Sequence, residues 1–190
     1  MTPRAKFLLL VALFVLPTIA SFIVFYFFPP TKATNYGTLI SPVVNLQQAA
    51  LVRLDQGAEP VTPGLRGKWL MITRDSGLCE AACQKKLYAM RQARLILGRD
   101  QDRVLRVVLV DDDVPPNSSL QSTYEGTIWI SAKSQPWLAA LPAPSDATSG
   151  RGFIYAADTM GNIFMRYSAD PDIKRFSNDI QRVLKASQIG

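Results

Sequence analysis

Histidine is absent from this sequence of 190 residues, and cysteine occurs only twice. The absence of histidine excludes nucleophiles paired with histidine, histidine general bases and imidazole metal ligands. Two cysteines are too few for a disulfide-dense scaffold or for a zinc site made of four thiolates. They still allow one disulfide, a redox pair, a metal site with two thiolate ligands, or two unreactive core thiols.

Charge is also scarce, because charged residues make up 19% of the chain and the formal net charge is only +6. The sequence contains no long run of lysine or arginine and no basic segment interleaved with aromatic residues. It therefore predicts no nucleic-acid partner. Hydrophobic residues make up 48% of the chain, which is typical of a folded protein and excludes a disordered one.

Residues 7–28 form the longest hydrophobic segment, FLLLVALFVLPTIASFIVFYFF, and carry no charge. As a helix this segment would measure about 33 Å, enough to cross a hydrocarbon core of about 30 Å. Arg4 and Lys6 precede it, which places residues 1–6 in the cytoplasm and the rest of the chain outside it. A cleaved signal peptide is the alternative. The sequence favours an uncleaved transmembrane anchor, because the segment is long for a signal core and ends in bulky aromatic residues.

The rest of the sequence predicts a linker followed by one α/β domain. Residues 29–45 are rich in Pro, Thr, Asn, Gly and Ser and show no periodicity, which favours a linker before a domain over residues 46–190. Within the domain, short apolar runs predict strands and helical spacing of apolar residues predicts helices. The predicted strands are 49–56, 69–73, 104–110, 127–130, 153–158 and 163–168. The predicted helices are one that carries Cys83 and ends at Gly98, a short one from Ser134 to Leu141, and one capped by Asp170.

This order of elements, a βαβ unit followed by a β-hairpin and a closing helix, is the thioredoxin arrangement. Cys79 and Cys83 fall in the first strand-to-helix connection, where an α/β sheet presents groups at a helix N-terminus. Positions i and i+4 of a helix have Cβ atoms about 5–6 Å apart, so a loosened first turn would allow a disulfide.

The helix N-terminus also predicts different roles for the two cysteines. Its dipole stabilises a thiolate on Cys79, whereas Cys83 lies one turn deeper and is expected to be less exposed. Cys79 is therefore the predicted attacking thiol and Cys83 the predicted resolving thiol. A plain structural disulfide, or two buried cysteines without chemistry, is the alternative. Lys85 and Lys86 are expected to be exposed on this helix, and Asp111, Asp112 and Asp113 to form a solvated end to a strand.

Four segments resemble the Sco/SenC proteins, which are membrane-anchored copper chaperones of thioredoxin fold for cytochrome c oxidase assembly. The segments are GKWLMIT (67–73), CEAAC (79–83), VVLVDDD (107–113) and FIYAADTMGN (153–162). Their order and spacing carry the resemblance over about residues 46–187. It implies an α/β, thioredoxin-like fold preceded by one N-terminal transmembrane helix. It also implies a place in the bacterial inner membrane, with the C-terminal domain in the periplasm.

The chain departs from the Sco/SenC pattern at the copper site. Glu80 stands where the family has the proline of its Cys-Pro-x-x-Cys motif, and residues 149–152 (SGRG) stand where it has a histidine copper ligand. The family's three-ligand copper site therefore cannot form, and Cu(II) is expected to bind poorly. Cu(I) accepts soft ligands at low coordination number, so Cys79 and Cys83 remain possible Cu(I) ligands.

The resemblance leaves three functions open for this pair of cysteines. The first is thiol–disulfide exchange in cytochrome c oxidase biogenesis, with an oxidase subunit or a copper chaperone as the partner. Whether this makes the protein an enzyme, a thiol–disulfide oxidoreductase, stays open at this point. The second is a metallochaperone that carries Cu(I) between Cys79 and Cys83. The third is a non-catalytic accessory protein whose disulfide stabilises the fold.

Overall fold

The computed structural model describes residues 2–28, 35–46, 51–54, 62–133, 135–141 and 150–187. The chain divides into two compact units, Met1–Thr34 and Asn35–Gly190. Helix α1 (Pro3–Phe27) occupies the first unit, with Pro17 in its interior. By length and composition this helix could cross a membrane. An N-terminal signal sequence meets the same two criteria.

The second unit is built on a seven-stranded sheet with the order β1-β7-β6-β3-β4-β5-β2. Strands β3, β4 and β5 are parallel to one another, whereas β6, β7, β1 and β2 each run antiparallel to a neighbour. The strands are β1 (Thr38–Asn45), β2 (Val52–Arg53), β3 (Trp69–Asp75), β4 (Val104–Val110), β5 (Thr127–Ser131), β6 (Phe153–Ala157) and β7 (Asn162–Ser168). The predicted βαβ unit and β-hairpin are therefore present.

The helices of this unit follow the apolar stripes in the sequence. They are α2 (Thr62–Leu65), α3 (Ala81–Ile96), α4 (Ser118–Thr123) and α5 (Ile173–Ala186), with 3₁₀ turns at Gly98–Arg103, Pro136–Ala140 and Gly150–Gly152. Helix α3 buries Cys83, Leu87 and Met90 on one face and ends close to Gly98, as predicted. The N-cap of α5 is Asp172, whose side chain accepts a hydrogen bond from the N–H of Arg175, and not the predicted Asp170.

Two apolar layers cover the two faces of the sheet, because successive strand residues point to opposite sides. On one face, Met71 and Ile154 pack with Met90 of α3 and Phe176 of α5. The other face carries a second core cluster, drawn from the strands and the connecting segments. Its fully buried members include Leu46, Leu51, Ile72, Val107, Ile130 and Tyr155.

The linker prediction for residues 29–45 is wrong for residues 38–45, which form β1. This strand pairs with β7, with Thr38 opposite Arg166 and Asn45 opposite Asn162. Its sequence shows no apolar alternation because it is an edge strand with a register shift between Leu39 and Val44, and most of its residues are exposed. The compact unit thus begins at residue 35, and residues 29–34 lie outside the described chain.

Two further expectations fall partly outside the described residues. Of the strand predicted over 49–56, Val52–Arg53 forms β2, and residues 49–50 and 55–56 are not among those described. Ser134 is likewise not described, and the short helix predicted after it is a 3₁₀ turn over Pro136–Ala140.

Candidate functional site

The two cysteines lie where β3 leads into α3, and a disulfide joins them with their Cα atoms 5.0 Å apart. Cys79 immediately precedes Glu80, the N-cap of α3, and Cys83 lies in the first turn of the helix. Cys79 has a φ of +44°, a left-handed conformation that is uncommon outside glycine. Its N–H donates to the carbonyl of Ser76 (3.1 Å), and its carbonyl accepts from Nε2 of Gln84 (3.1 Å). The chain thereby makes a tight turn that brings Cys79 to Cys83.

The disulfide is buried, because Cys79 and Cys83 have exposed fractions of 0% and 1%. The two cysteines belong to an apolar cluster with Leu87 of α3, Val108 and Val110 of β4, Trp129 of β5 and Tyr124. The expectation that Cys79 is more exposed than Cys83 is therefore wrong for the disulfide-bonded protein. The tight turn places Cys79 inside the cluster and leaves its neighbour Leu78 at the surface.

Tyr124 is a part of this site that the sequence pattern does not indicate. It follows α4 as the C-cap residue and packs in the cluster that contains the disulfide. Its hydroxyl donates to the carbonyl of Gln84 in α3 at 3.2 Å. This hydrogen bond links the segment that follows α4 to the helix that carries Cys83. No local periodicity marks a residue in a turn, so only the tertiary contacts identify it.

A buried lysine lies one turn beyond Cys83 on α3. Lys86 has an exposed fraction of 0%, and its ammonium donates to three oxygens. These are the carbonyl of Arg74 at 3.0 Å, Oδ2 of Asp75 at 2.7 Å and the carbonyl of Arg151. All three N–H donors of the ammonium are therefore used. Burial lowers the pKa of Lys86, and the contact with Asp75 opposes that shift.

The exposure expected for Lys86 is therefore wrong, whereas Lys85 is exposed as expected. Lys86 shares the inward face of α3 with Cys83 and Met90. A charged lysine can be buried on that face only because one carboxylate and two carbonyl oxygens accept hydrogen bonds from its ammonium.

Asp111, the first residue after β4, accepts hydrogen bonds from two arginines. Nε of Arg74 donates to it at 2.6 Å, and Arg151 donates through Nε at 3.0 Å and through Nη2. Burial raises the pKa of Asp111, but the hydrogen bonds from Arg151 and Arg74 outweigh it and leave the pKa below its usual value. The expectation of a solvated strand end is therefore wrong for Asp111, whose side chain is 4% exposed.

The next two aspartates have different surroundings. Asp112 accepts from the N–H groups of Gly77 (3.0 Å) and Val114 (3.2 Å), which ties the loop before Cys79 to the end of β4. Gly77 suits this contact because a Cβ there would clash with the carbonyl oxygen of Val114. Asp113 is exposed and pairs with Lys133, as expected for a solvated residue.

These residues do not fit a copper site with three protein ligands. Among the described residues, no group of three or more His, Cys, Asp and Glu side chains comes together. Arg151 stands in the segment where the Sco/SenC resemblance places a histidine, and its guanidinium pairs with Asp111. Its carbonyl receives the ammonium of Lys86. The segment that would supply the third ligand thus carries an arginine, whose positive charge disfavours a metal cation.

The pairing of Asp111 predicts acid-sensitive stability. Since its pKa is lower in the folded chain than in the unfolded chain, its contribution is complete above about pH 4 and is lost as the pH falls through the folded pKa. We expect Asp111→Asn to lower the free energy of unfolding at pH 7 by about 1–3 kcal/mol and to flatten the loss of stability in acid. Urea unfolding at several pH values measures both effects. Asp113→Asn, which changes an exposed carboxylate, should behave as wild type, and an equal effect of the two variants would contradict the prediction.

Comparisons with known proteins agree with this architecture. A protein-family profile described as "Transmembrane-like, thioredoxin-like, C-terminal domain" matches residues 69–187, which run from β3 to the end of α5. No curated protein sequence matches this chain.

Solved structures of Sco proteins are similar in fold. Apo Sco1 from Thermus thermophilus has a TM-score of 0.58 and 18% identity, covering 81% of this chain and 99% of its own. Copper-bound ScoI from Arabidopsis thaliana has a TM-score of 0.56 and 15% identity, covering 82% of this chain and 100% of its own. Copper-bound yeast Sco1 has a TM-score of 0.53 and 14% identity, covering 66% of this chain and 80% of its own. The predicted thioredoxin-like fold is confirmed, and the resemblance to Sco/SenC proteins is confirmed at the level of the fold.

Proposed function

We propose, from the premise that this chain belongs to the family of transmembrane-like, thioredoxin-like C-terminal domains, that it performs thiol–disulfide exchange through Cys79 and Cys83. The observation that carries this proposal is the place of the disulfide, at the start of α3 directly after β3. A thiolate there is stabilised by unpaired backbone N–H groups and by the positive end of the helix dipole.

The small size of the disulfide ring argues against a purely structural role. The bond closes a loop with a sequence separation of only 4. The chain-entropy relation gives such a loop about 2 kcal/mol of stabilisation, against about 3 kcal/mol for a loop of 15 residues. A bond across one tight turn therefore stabilises the fold less than a bond between distant elements would.

The exchange proceeds in two balanced steps. In the reduced protein, the thiolate of Cys79 attacks one sulfur of a partner disulfide; the Cys79–partner bond forms, the partner S–S bond breaks, and the second partner sulfur leaves as a thiolate. Cys83, after losing its proton, then attacks the sulfur of Cys79 and releases the first partner sulfur as a thiolate. Two electrons pass to the partner, and the Cys79–Cys83 disulfide forms again. The reverse sequence oxidises a partner dithiol.

The partner in this proposal is a cysteine-containing subunit of cytochrome c oxidase or its copper chaperone. The fold likeness to Sco1 and ScoI structures, two of them with copper bound, supports this assignment. Helix α1 serves as an uncleaved anchor in the bacterial inner membrane and leaves the disulfide domain in the periplasm, a compartment in which disulfides persist. The mature protein purified from membranes should retain residues 7–28 by intact mass, and a chain that begins near residue 31 would contradict this anchor.

A second candidate function is the carriage of Cu(I) as cargo between the two cysteines. The closeness of Cys79 and Cys83 favours it, because two thiolates satisfy this soft ion at low coordination number. Copper stoichiometry of the reduced chain under anaerobic conditions separates this candidate from exchange. One Cu(I) per chain that Cys83→Ser abolishes would support it, and no binding would exclude it.

The reduction potential tests the exchange function. The full chain in a nonionic detergent is equilibrated with thiol–disulfide buffers, and the reduced fraction is read by alkylation and mass. We expect a potential well above about −300 mV, the region below which structural disulfides lie.

Alkylation rates of the single-cysteine variants complete the test. In Cys83→Ser, the thiol of Cys79 should react with a pKa moderately below the free value of about 8.5, because Glu80 beside it opposes a larger shift. In Cys79→Ser, the thiol of Cys83 should react more slowly, since it lies within α3 and not before its N-cap, where the positive end of the helix dipole stabilises a thiolate. A potential below about −300 mV, together with a Cys79 no faster than a free thiol, would leave the disulfide a structural one.

A further inference from the structure

A cavity with three arginines lies near the beginning of β4, whereas the disulfide packs against the second half of this strand. Its volume is about 430 Å³. Arg106 enters it from the beginning of β4, four residues before Val110, which packs in the cluster that contains the disulfide. The polar residues that line the cavity are Arg91, Arg94, Arg106, Ser122, Thr123 and Glu125. This cavity shares no residue with the cysteine site and is independent of the proposed function.

The guanidinium of Arg106 is buried without enough acceptors. The residue is 5% exposed, and its Nη2 donates to the carbonyl of Glu125. Its Nε and Nη1 have no hydrogen-bond partner, which leaves three N–H groups unused. A buried cation that lacks a counter-charge costs several kcal/mol, and an anion in the cavity would supply both the missing acceptors and the counter-charge of Arg106.

The other two arginines increase the positive charge of the cavity. Arg91 donates to the carbonyl of Thr123 at 3.2 Å, and Arg94 donates to the carbonyl of Val104 at 2.9 Å and to exposed Asp102 at 3.2 Å. Burial, followed by the charges of Arg94 and Arg91, lowers the pKa of Arg106 to about 10. These neighbours therefore do not neutralise Arg106.

Glu125 is the one acidic residue among those that line the cavity. No ion pair joins its carboxylate to Arg91, Arg94 or Arg106 among the described residues. Its side chain is exposed, whereas its carbonyl contacts Arg106. The carboxylate of Glu125 could therefore compete with an external anion for the cavity. It lies at the surface, however, and in the described part of the chain it forms no ion pair with the buried guanidinium of Arg106.

We infer that this cavity binds a phosphate group, carried by a free phosphate ion or by a lipid headgroup. Three guanidinium groups from two structural elements meet a tetrahedral phosphate group better than a planar carboxylate, because they offer donors in several directions. Gly126 contributes to access, since its φ of +77° suits glycine and a Cβ there would lie 3.3 Å from Nη2 of Arg106.

Titration calorimetry of the full chain in a nonionic detergent tests the site with sodium phosphate, at constant ionic strength set by chloride. We expect saturable binding in the millimolar range or tighter. Arg106→Met should weaken it at least about tenfold, and Arg91→Gln should weaken it about threefold or more. Arg99→Gln removes an equal charge from an exposed position outside the cavity and should change nothing. Arg91 is exposed at the rim, so its variant keeps the test valid if Arg106→Met fails to fold.

A second experiment, with lipid bilayers, distinguishes a free phosphate ion from a lipid headgroup. The full chain is placed in phosphatidylcholine bilayers with and without phosphatidylglycerol, and its thermal unfolding is followed. A rise in Tm with phosphatidylglycerol that Arg91→Gln removes identifies a headgroup, whereas binding of free phosphate without this rise identifies the ion.

Glu125→Gln provides the outcome that would overturn the inference. If phosphate binds, removal of the competing carboxylate should strengthen binding. If Glu125 itself fills the site, wild type will not bind phosphate in either arm, and Glu125→Gln will lower the Tm. Absence of binding in both arms overturns the inference whatever the Tm of this variant.

Discussion

Lys86→Met is expected to lower the free energy of unfolding by about 3–5 kcal/mol. Methionine fills nearly the same space on the inner face of α3 but donates no hydrogen bond. The largely buried carboxylate of Asp75 and the carbonyls of Arg74 and Arg151 would lose their shared donor. Removal of one partner from a buried ion pair costs more than the pair contributes, because the charge left behind stays out of water.

Lys85→Met is the matched control for this prediction. It removes the same charge from the adjacent position of α3, where the side chain is exposed. We expect it to change the free energy of unfolding by no more than about 0.5 kcal/mol. Urea unfolding of both variants of the full chain in detergent, followed by tryptophan fluorescence, measures the difference. Equal losses in the two variants would show that the contacts of Lys86 contribute nothing specific.

The contrast between Lys85 and Lys86 shows where prediction from sequence succeeds. Apolar spacing predicts α3 and its inner face, since Cys83, Leu87 and Met90 repeat at helical intervals. The same spacing places position 86 near that face, but lysine is normally exposed, so residue type and position disagree. The carbonyl of Arg151 that settles the conflict lies 65 residues away in sequence. No local pattern carries that information.

The strands also differ in how well the sequence predicts them. The sequence of β4 predicts its strand because β-branched and apolar residues fill a position buried on both faces. The sequence of β1 does not, because an edge strand with one buried residue leaves no alternation to detect. Arg106 is a similar case within β4: the apolar run around it predicts the strand correctly. The cavity that receives its guanidinium is formed by α3 and by the turn before β5, elements that only the tertiary fold brings to β4.

The sequence predicts that Cys79 and Cys83 lie close together, but it does not predict that both are buried. Their positions after a core strand predict this closeness, and the structure places the two Cα atoms 5.0 Å apart. Their burial depends on Tyr124 and Trp129, which arrive from segments about 40 residues further along the chain. A buried disulfide must be uncovered before any thiolate can reach it, so the rate of exchange depends on a local opening.

Tyr124 helps to cover the disulfide, and a single substitution can remove its side chain. It packs in the cluster that contains the disulfide, and its hydroxyl holds the carbonyl of Gln84. Local opening that exposes Cys79 must break these contacts, whereas the sheet and the packing of α3 against α5 can stay intact. The free energy of that opening therefore depends on Tyr124 more than on residues of the core between α3 and α5.

Tyr124→Ala is thus expected to accelerate reduction of the Cys79–Cys83 disulfide by dithiothreitol at least about tenfold under native conditions, as a fall of about 1.4 kcal/mol in opening free energy requires. Ile180→Ala is the control, because it removes a buried side chain of α5 from a different core cluster, at a cost of about 2–5 kcal/mol. Alkylation at timed intervals, read by mass, gives both rates in the full chain. If reduction required global unfolding, the two variants would accelerate it in proportion to their loss of stability. A selective effect of Tyr124→Ala would instead show that the disulfide is reached by local opening of its cover, and an unchanged rate in this variant would contradict that route.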